Sequence, residues 1–411
     1  MIRKLTGLSL AAGVLLLGAC HEDGTLEPPA TPTGGTLMSH YVAMGNSITA
    51  GFQSAGINDS TQKLSYAHLL AVASGAPYYY QSLRGRGCAP PFTNNVTGAR
   101  VGGGTSTTCD LAAPAENPWL TNVAVPGARA IEMTDNLQTP SASNALTTII
   151  LGGKTQAQRM AEGGPTLVTM WAGNNDVLGA LTNSANPGVS VAVTSQTNFN
   201  AAYDAALDAI TATGADALVI GVVDVTNIPY TSSGTVLWCA KTGNCGVPAA
   251  PFPATFTVNN NCAPNAAIPG SKGDSILVPW SKFVPLIGAA AAGATTSLDC
   301  SLDAVVVTPA EYAILRNATV GYNAHIVTAA AAHGFAYWDP NPTLLAKKAA
   351  GQVPVFPDLS GLATGGSVLF GPLFSLDGVH PNALAHKLIA DSVAARLNSA
   401  FGTTIPIPVA P

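Results

Sequence analysis

Four polar clusters interrupt otherwise apolar stretches, and between them they hold the parts of a nucleophilic catalyst. Gly45-Asn46-Ser47 follows Tyr41-Val42-Ala43-Met44, and Pro126-Gly127 follows Asn122-Val123-Ala124-Val125. Gly173-Asn174-Asn175-Asp176 follows Thr166 to Trp171, and Asp377 stands three residues before His380, just ahead of a long helical pattern. A serine hydroxyl becomes an effective nucleophile once a base takes its proton. An imidazole accepts and returns that proton near neutral pH. A carboxylate on the far ring nitrogen fixes the tautomer. Attack on a carbonyl creates an oxyanion, which needs aimed N–H donors; a glycine backbone and a side-chain amide supply them without charge. Each cluster alone also reads as an ordinary turn or helix cap, so the weight lies in their combination.

The elements between the clusters alternate. Apolar runs at 41–45, 122–125, 166–171, 217–223 and 335–339 read as strands, and 217–223 is apolar throughout, as a strand buried on both faces must be. Helical spacing appears at 64–73, at Phe199, Tyr203, Leu207 and Ile210 before Gly214, from Thr308-Pro309 to Gly334, and from Asn382 to Phe401. In the last of these, Leu384, Leu388, Ile389, Val393 and Leu397 form the expected inner face. Strand and helix in this order predict an α/β fold, a three-layer α/β/α sandwich on a parallel sheet. In such sheets ligands bind beyond the carboxyl ends of the strands, where the clusters fall.

In order and spacing these blocks resemble the SGNH (GDSL) hydrolase superfamily, over roughly residues 37–400. The four residues behind that name fall on Ser47, Gly127, Asn175 and His380. The third block, Gly-x-Asn-Asp, is matched by Gly173, Asn175 and Asp176; the last, Asp-x-x-His, by Asp377 and His380. The resemblance implies a flavodoxin-like α/β/α domain and a serine hydrolase cleaving carboxylic esters through an acyl-enzyme. Ser47 would be the nucleophile, His380 the base and Asp377 its partner. Ser47, Gly127 and Asn175 would form the oxyanion hole, with no metal or other cofactor. One departure is that the common Gly-Asp-Ser reads Gly-Asn-Ser here, at Asn46. The alternatives are a non-catalytic binding lipoprotein on the same scaffold and an esterase for acetylated carbohydrate. The stretch Val368 to Phe374 either lines an acyl groove or packs under the sheet. Of the other histidines, His21 lies in the N-terminal tether, and His40, His68, His325, His333 and His386 are expected at the surface or partly buried.

Three stretches interrupt the alternation, at 84–118, 230–308 and 352–373, rich in Gly, Pro, Thr and Asn. Excursions of this length are functional or stapled, and here they are expected to form a rim beside the sheet's carboxyl edge. They carry Cys88, Cys109, Cys239, Cys245, Cys262 and Cys300. Six cysteines in an exported chain suggest disulfides, with fifteen possible pairings. Flanking loops favour Cys88 with Cys109, and local closure favours Cys239 with Cys245 and Cys262 with Cys300; sequence leaves the other pairings open. Zinc is the rival reading, without Cys-x-x-Cys or His-Glu-x-x-His spacing behind it.

Export is read from residues 1–19: Met1-Ile2-Arg3-Lys4, a Leu-rich run to Leu17, then Leu17-Gly18-Ala19-Cys20. The run is too short to span a bilayer and reads as a signal peptide. Its end resembles a bacterial lipobox, which would make Cys20 the acylated N-terminus and residues 20–36 a tether; an ordinary signal peptide is the alternative. This places the chain in the bacterial cell envelope, at the outer membrane, with a membrane and an ester as its partners. Charged residues are only 9% of the 411, against about 25% in an average soluble protein. A net charge of −5 with 17 Lys and Arg offers no basic stripe for nucleic acid. Oligomeric state leaves no mark in the sequence.

Overall fold

The computed structural model describes residues 31–110, 119–137, 144–245, 250–359 and 369–407. The signal peptide, Cys20 and most of the tether lie outside the described residues, as do 111–118, 246–249 and 360–368 of the insertions. The central sheet holds β1 (Tyr41–Gly45), β2 (Leu167–Trp171), β3 (Asp216–Ile220) and β4 (Ala336–Trp338), side by side in that order and all parallel. The helices that matter here are α1 (Ser47–Ala50), α2 (Tyr66–Ser74), α3 (Asn175–Leu181), α4 (Gln196–Thr211), α5 (Pro309–Ala332), α6 (Asn341–Ala349) and α7 (Ala383–Phe401).

The strand expected at 122–125 is present as a looser edge. Ala43 donates to Thr121, Val123 to Ala43 and Val125 to Gly45, in parallel register with β1. With this segment counted second along the chain, the order across the sheet is second, first, third, fourth, fifth. That is the doubly wound flavodoxin-like order, and its switch point lies between β1 and β2. Ser47 and Asn175 follow those two strands.

Period-two alternation sends side chains to both faces. Tyr41, Ala43, Leu167, Trp171, Leu218 and Ile220 meet α2 and α7 on one side. Val42, Met44, Val168, Met170, Ala217 and Val219 meet α4, α5 and the helices at 145–151 and 156–162 on the other. Each fully buried large apolar side chain contributes about 1.5–3 kcal/mol. The apolar run at 217–223 leaves the sheet at Ile220. Beyond it, Asn323 pairs with both backbone groups of Val222, and Val223 donates to Asn174.

The structure corrects the reading of α7. Its innermost face is His386, Ala390, Val393, Ala394 and Leu397. Small residues there let the helix lie close to α2, whereas Leu384 is 48% exposed. His386, expected at the surface or partly buried, is fully buried. Its Nδ1 accepts from the Tyr66 N–H at 3.2 Å, and burial pushes its pKa down to about 3, so the ring is neutral.

The insertion at 230–308 holds more regular structure than a stapled loop. Thr231–Ser233 pairs antiparallel with Leu277–Pro279, Phe256–Val258 pairs parallel with Thr296–Leu298, and helices run over Gly234–Thr242 and Trp280–Ala291. Strands of three residues and a helix carrying Pro285 give too short a period to be seen in sequence. Cys239–Cys245 and Cys262–Cys300 staple it, and Cys88–Cys109 staples the insertion at 84–118. These are the pairs that the loop composition and local closure favoured.

Candidate active site

The site starts from backbone geometry at the end of β1. Gly45 has φ +146°, and a Cβ there would lie 2.4 Å from the Trp171 carbonyl oxygen, so only glycine fits. The buried Gln156 amide pairs with both Gly45 backbone groups, accepting from its N–H at 2.9 Å and donating to its carbonyl at 2.8 Å. Asn46 then caps α1, its side chain accepting from the Ile48 N–H at 3.1 Å. Ser47 follows as the first residue of α1, 6% exposed. Its N–H belongs to the helix's first turn, where no intrahelical acceptor exists.

Ser47 Oγ lies 2.9 Å from His380 Nε2, and His380 Nδ1 lies 2.8 Å from Asp377 Oδ2. Asp377 is surrounded by donors. Its Oδ1 accepts from the N–H groups of Val379 and His380 and from the Ser375 hydroxyl, at 2.9, 2.9 and 3.0 Å, and its Oδ2 accepts from the Ala55 N–H at 2.7 Å. Burial works against the carboxylate's charge, but the His380 ring and these N–H groups outweigh it and hold the pKa down at about 2. Asp377 is therefore an acceptor only. The Nδ1 proton sits between it and the ring, and Nε2 of the neutral imidazole is left free to accept from Ser47.

A second set of bonds fixes this loop to the start of the chain. Ser375 Oγ accepts from the Ser54 N–H, and the Ser54 hydroxyl accepts from the Leu376 N–H. Ser54 and Ala55 hold φ of 54° and 52°, conformations that cost L-residues energy and need outside support. Arg100 adds to that support by donating to the Ala55 carbonyl at 3.0 Å. The Phe52 ring lies 4.9 Å from the His380 ring, centre to centre. Ser375, Ser54, Ala55, Arg100 and Gln156 escaped the sequence reading. Apart from the bond of Ser375 to Asp377 two residues on, each acts on a partner tens or hundreds of residues away, and no local pattern marks such a pair.

Of the three oxyanion donors implied by the resemblance, Ser47 and Asn175 line one cavity together with His380. Gly127 is not in its wall. It sits in a turn of φ +87° that the Val125–Gly45 hydrogen bond holds beside the end of β1. Two residues of the third block tie this turn to α3. Asn175 Nδ2 donates to the Ala128 carbonyl at 2.9 Å, and Asp176 Oδ2 accepts from the Ala130 N–H at 2.8 Å. Asp176 is buried, which raises its pKa to about 6. Asn175 keeps a second amide hydrogen beyond the one given to Ala128.

The cavity has a volume of about 130 Å³. The Val368–Phe374 stretch divides between its two expected places. Leu373 and Phe374 line the cavity, while Phe370 packs against Trp280 at 5.2 Å and is fully buried; Val368 is outside the described residues. Among the described residues no cluster of His, Cys, Asp or Glu has the arrangement to hold a metal ion.

Similar solved structures include an extracellular lipase from Streptomyces rimosus, with 16% identity, 88% of this chain and 98% of that chain covered, and a TM-score of 0.38. Another is an acetyl xylan esterase, AlAXEase, with 11% identity, 86% and 98% covered, and a TM-score of 0.35. No curated protein matches the chain. The family model of GDSL-like lipases and acylhydrolases matches residues 41–393, the whole of the sheet and all four blocks. The chain belongs to the GDSL-like lipase/acylhydrolase family of hydrolases.

Proposed function

We propose that this hydrolase is a serine esterase acting on carboxylic esters. The observation that carries the reading is the chain of hydrogen bonds from Ser47 through His380 to the ionised Asp377. Ser47 Oγ attacks the ester carbonyl carbon while its proton passes to His380 Nε2. The carbonyl oxygen becomes an oxyanion, met by the Ser47 N–H and the Asn175 amide that line the cavity; the Gly127 N–H, from the adjoining turn, is the third donor that the resemblance implies. The intermediate collapses as His380 returns the proton to the leaving alcohol, and Ser47 is left acylated. Water, deprotonated by the same imidazole, then attacks the acyl-enzyme and releases the acid. A fluorophosphonate probe should label the parent and spare Ser47→Ala; labelling that persists in the variant would mean that another serine is the nucleophile.

Lipid anchorage through Cys20 belongs to the same proposal, as does a place at the bacterial outer membrane. Support comes from Leu17-Gly18-Ala19-Cys20. The geometry adds a consequence. Thr33 bonds Ser74 and Thr404, and Ile405 packs with Met38, so both described chain ends meet where α7 finishes. The 19 residues of α7 begin beside His380 and carry the helix about 28 Å away. An anchor would therefore join the domain at the end of α7 opposite His380. Cys20→Ser should abolish incorporation of labelled palmitate; label retained on that variant would rule the anchor out.

A further inference from the structure

The cavity beside Ser47 is a groove between two helices. Thr343, Leu344 and Lys347 recur at helical spacing along α6, and Leu388, Ile389 and Ser392 do so along α7; both rows face the same space. Its floor is Trp171 and Trp338, whose rings lie 6.1 Å apart, edge to face. The Trp171 N–H is already spent on the Gly221 carbonyl at 2.9 Å, which leaves hydrocarbon toward the groove. Aliphatic and aromatic carbon makes up nearly all of the remaining wall.

We propose that this groove is an acyl pocket for straight chains of medium length, from hexanoyl to octanoyl. The inference rests on the esterase reading above and adds the substrate class. Two observations set the length. The groove begins at Ser47 and His380 and follows α7 at least from Ala385 to Ser392, about 10 Å of helix. At about 1.25 Å of projection per single bond, that length takes roughly eight carbons of extended chain. The volume agrees, because an apolar cavity of about 150 Å³ accepts one benzene molecule, roughly six carbons. An acetyl group would leave the apolar walls uncovered. A palmitoyl chain would push half its length back into water.

The acyl side is the better occupant on chemical grounds. The acyl group stays bonded to Ser47 through both half-reactions, whereas the alcohol must depart after the first. A deep apolar groove that opens at the nucleophile suits the group that stays.

The test measures kcat/KM on the full-length protein with p-nitrophenyl acetate, butyrate, hexanoate, octanoate, decanoate and palmitate. Each added methylene should raise kcat/KM about fourfold up to hexanoate or octanoate, and the gain should stop there, decanoate and palmitate rising no further. Ser392→Phe, which fills the far end, should lower the octanoate-to-acetate ratio at least about tenfold; Leu344→Trp, on the opposite wall, serves as a second filler. A profile that is flat or falling from acetate, one that climbs to palmitate, or a ratio unmoved in both fillers overturns the proposal. So does a preference for octyl acetate over ethyl acetate larger than that for ethyl octanoate. Catalysis and the pocket are separated by a binding experiment on Ser47→Ala. Octanoate should shift its tryptophan fluorescence saturably and acetate should not. If octanoate leaves the fluorescence unchanged, the pocket assignment falls even where esters are hydrolysed. If octanoate binds and the parent hydrolyses no ester, the esterase reading falls and with it the acyl assignment.

Discussion

His380→Ala is expected to lower kcat for ester hydrolysis about a millionfold, as loss of the base does in other serine hydrolases. Without the imidazole, Ser47 must attack as a neutral hydroxyl, and the leaving alcohol departs without a proton. The residual rate would come from binding and from the oxyanion donors. The variant should still fold. Removing the ring takes one partner from Asp377, but the carboxylate keeps the N–H groups of Ala55, Val379 and residue 380 and the Ser375 hydroxyl. No buried charge is left bare, which is the usual route to severe destabilisation. The double variant Ser47→Ala/His380→Ala should be no slower than either single one, because the two residues act as a unit. Single-turnover rates with p-nitrophenyl butyrate, next to thermal melts of each variant, decide the matter. If His380→Ala folds and keeps a rate within tenfold of the parent, His380 is not the base.

Much of this site could be read from sequence because its polar residues stand at abrupt ends of apolar runs. Ser47 opens α1 just beyond β1 and Asn175 opens α3 beyond β2, and a strand end on a parallel sheet is where a ligand sits. The three-residue spacing of Asp377 and His380 lets a single turn bring both to one ring. Other parts had no local signature. Gln156 replaces a sheet partner for Gly45 across 111 residues; nothing near position 156 sets it apart from a surface glutamine on a short helix. The inner face of α7 was misjudged because Ala390 and Ala394 pack closely through smallness, while the larger Leu388 and Ile389 face the groove instead. Val393 and Leu397 of the expected stripe do lie on the inner face, and Leu388 and Ile389 serve the cavity. The strand expected at 122–125 has a sparse ladder because the Asn122 side chain bonds the Thr49 carbonyl across 73 residues and the Ala124 N–H locally.

Asp377→Asn should cost about 10⁴ in kcat, and the reason is a proton placed on the wrong nitrogen. The asparagine has one acceptor oxygen and one donor nitrogen to put where two acceptors stood. The Oδ1 position receives three donors, two of them backbone N–H groups that cannot turn away. The amide oxygen must take that position. Its NH₂ then faces the Ala55 N–H and His380 Nδ1 in place of Oδ2. A donor facing Nδ1 favours the tautomer with Nδ1 bare and the proton on Nε2, and that ring cannot accept from Ser47. The Ala55 N–H loses its acceptor too, so a loop held at φ 52° is loosened and some stability is lost with it. Melting curves separate that loss from the kinetic one. The parent's carboxylate, its pKa held down at about 2, is ionised near neutral pH. The variant's deficit comes from the tautomer of a neutral ring, so raising the pH should not restore its rate. A variant that folds and recovers parent kcat at alkaline pH would remove Asp377 from the mechanism while leaving Ser47 and His380 in it.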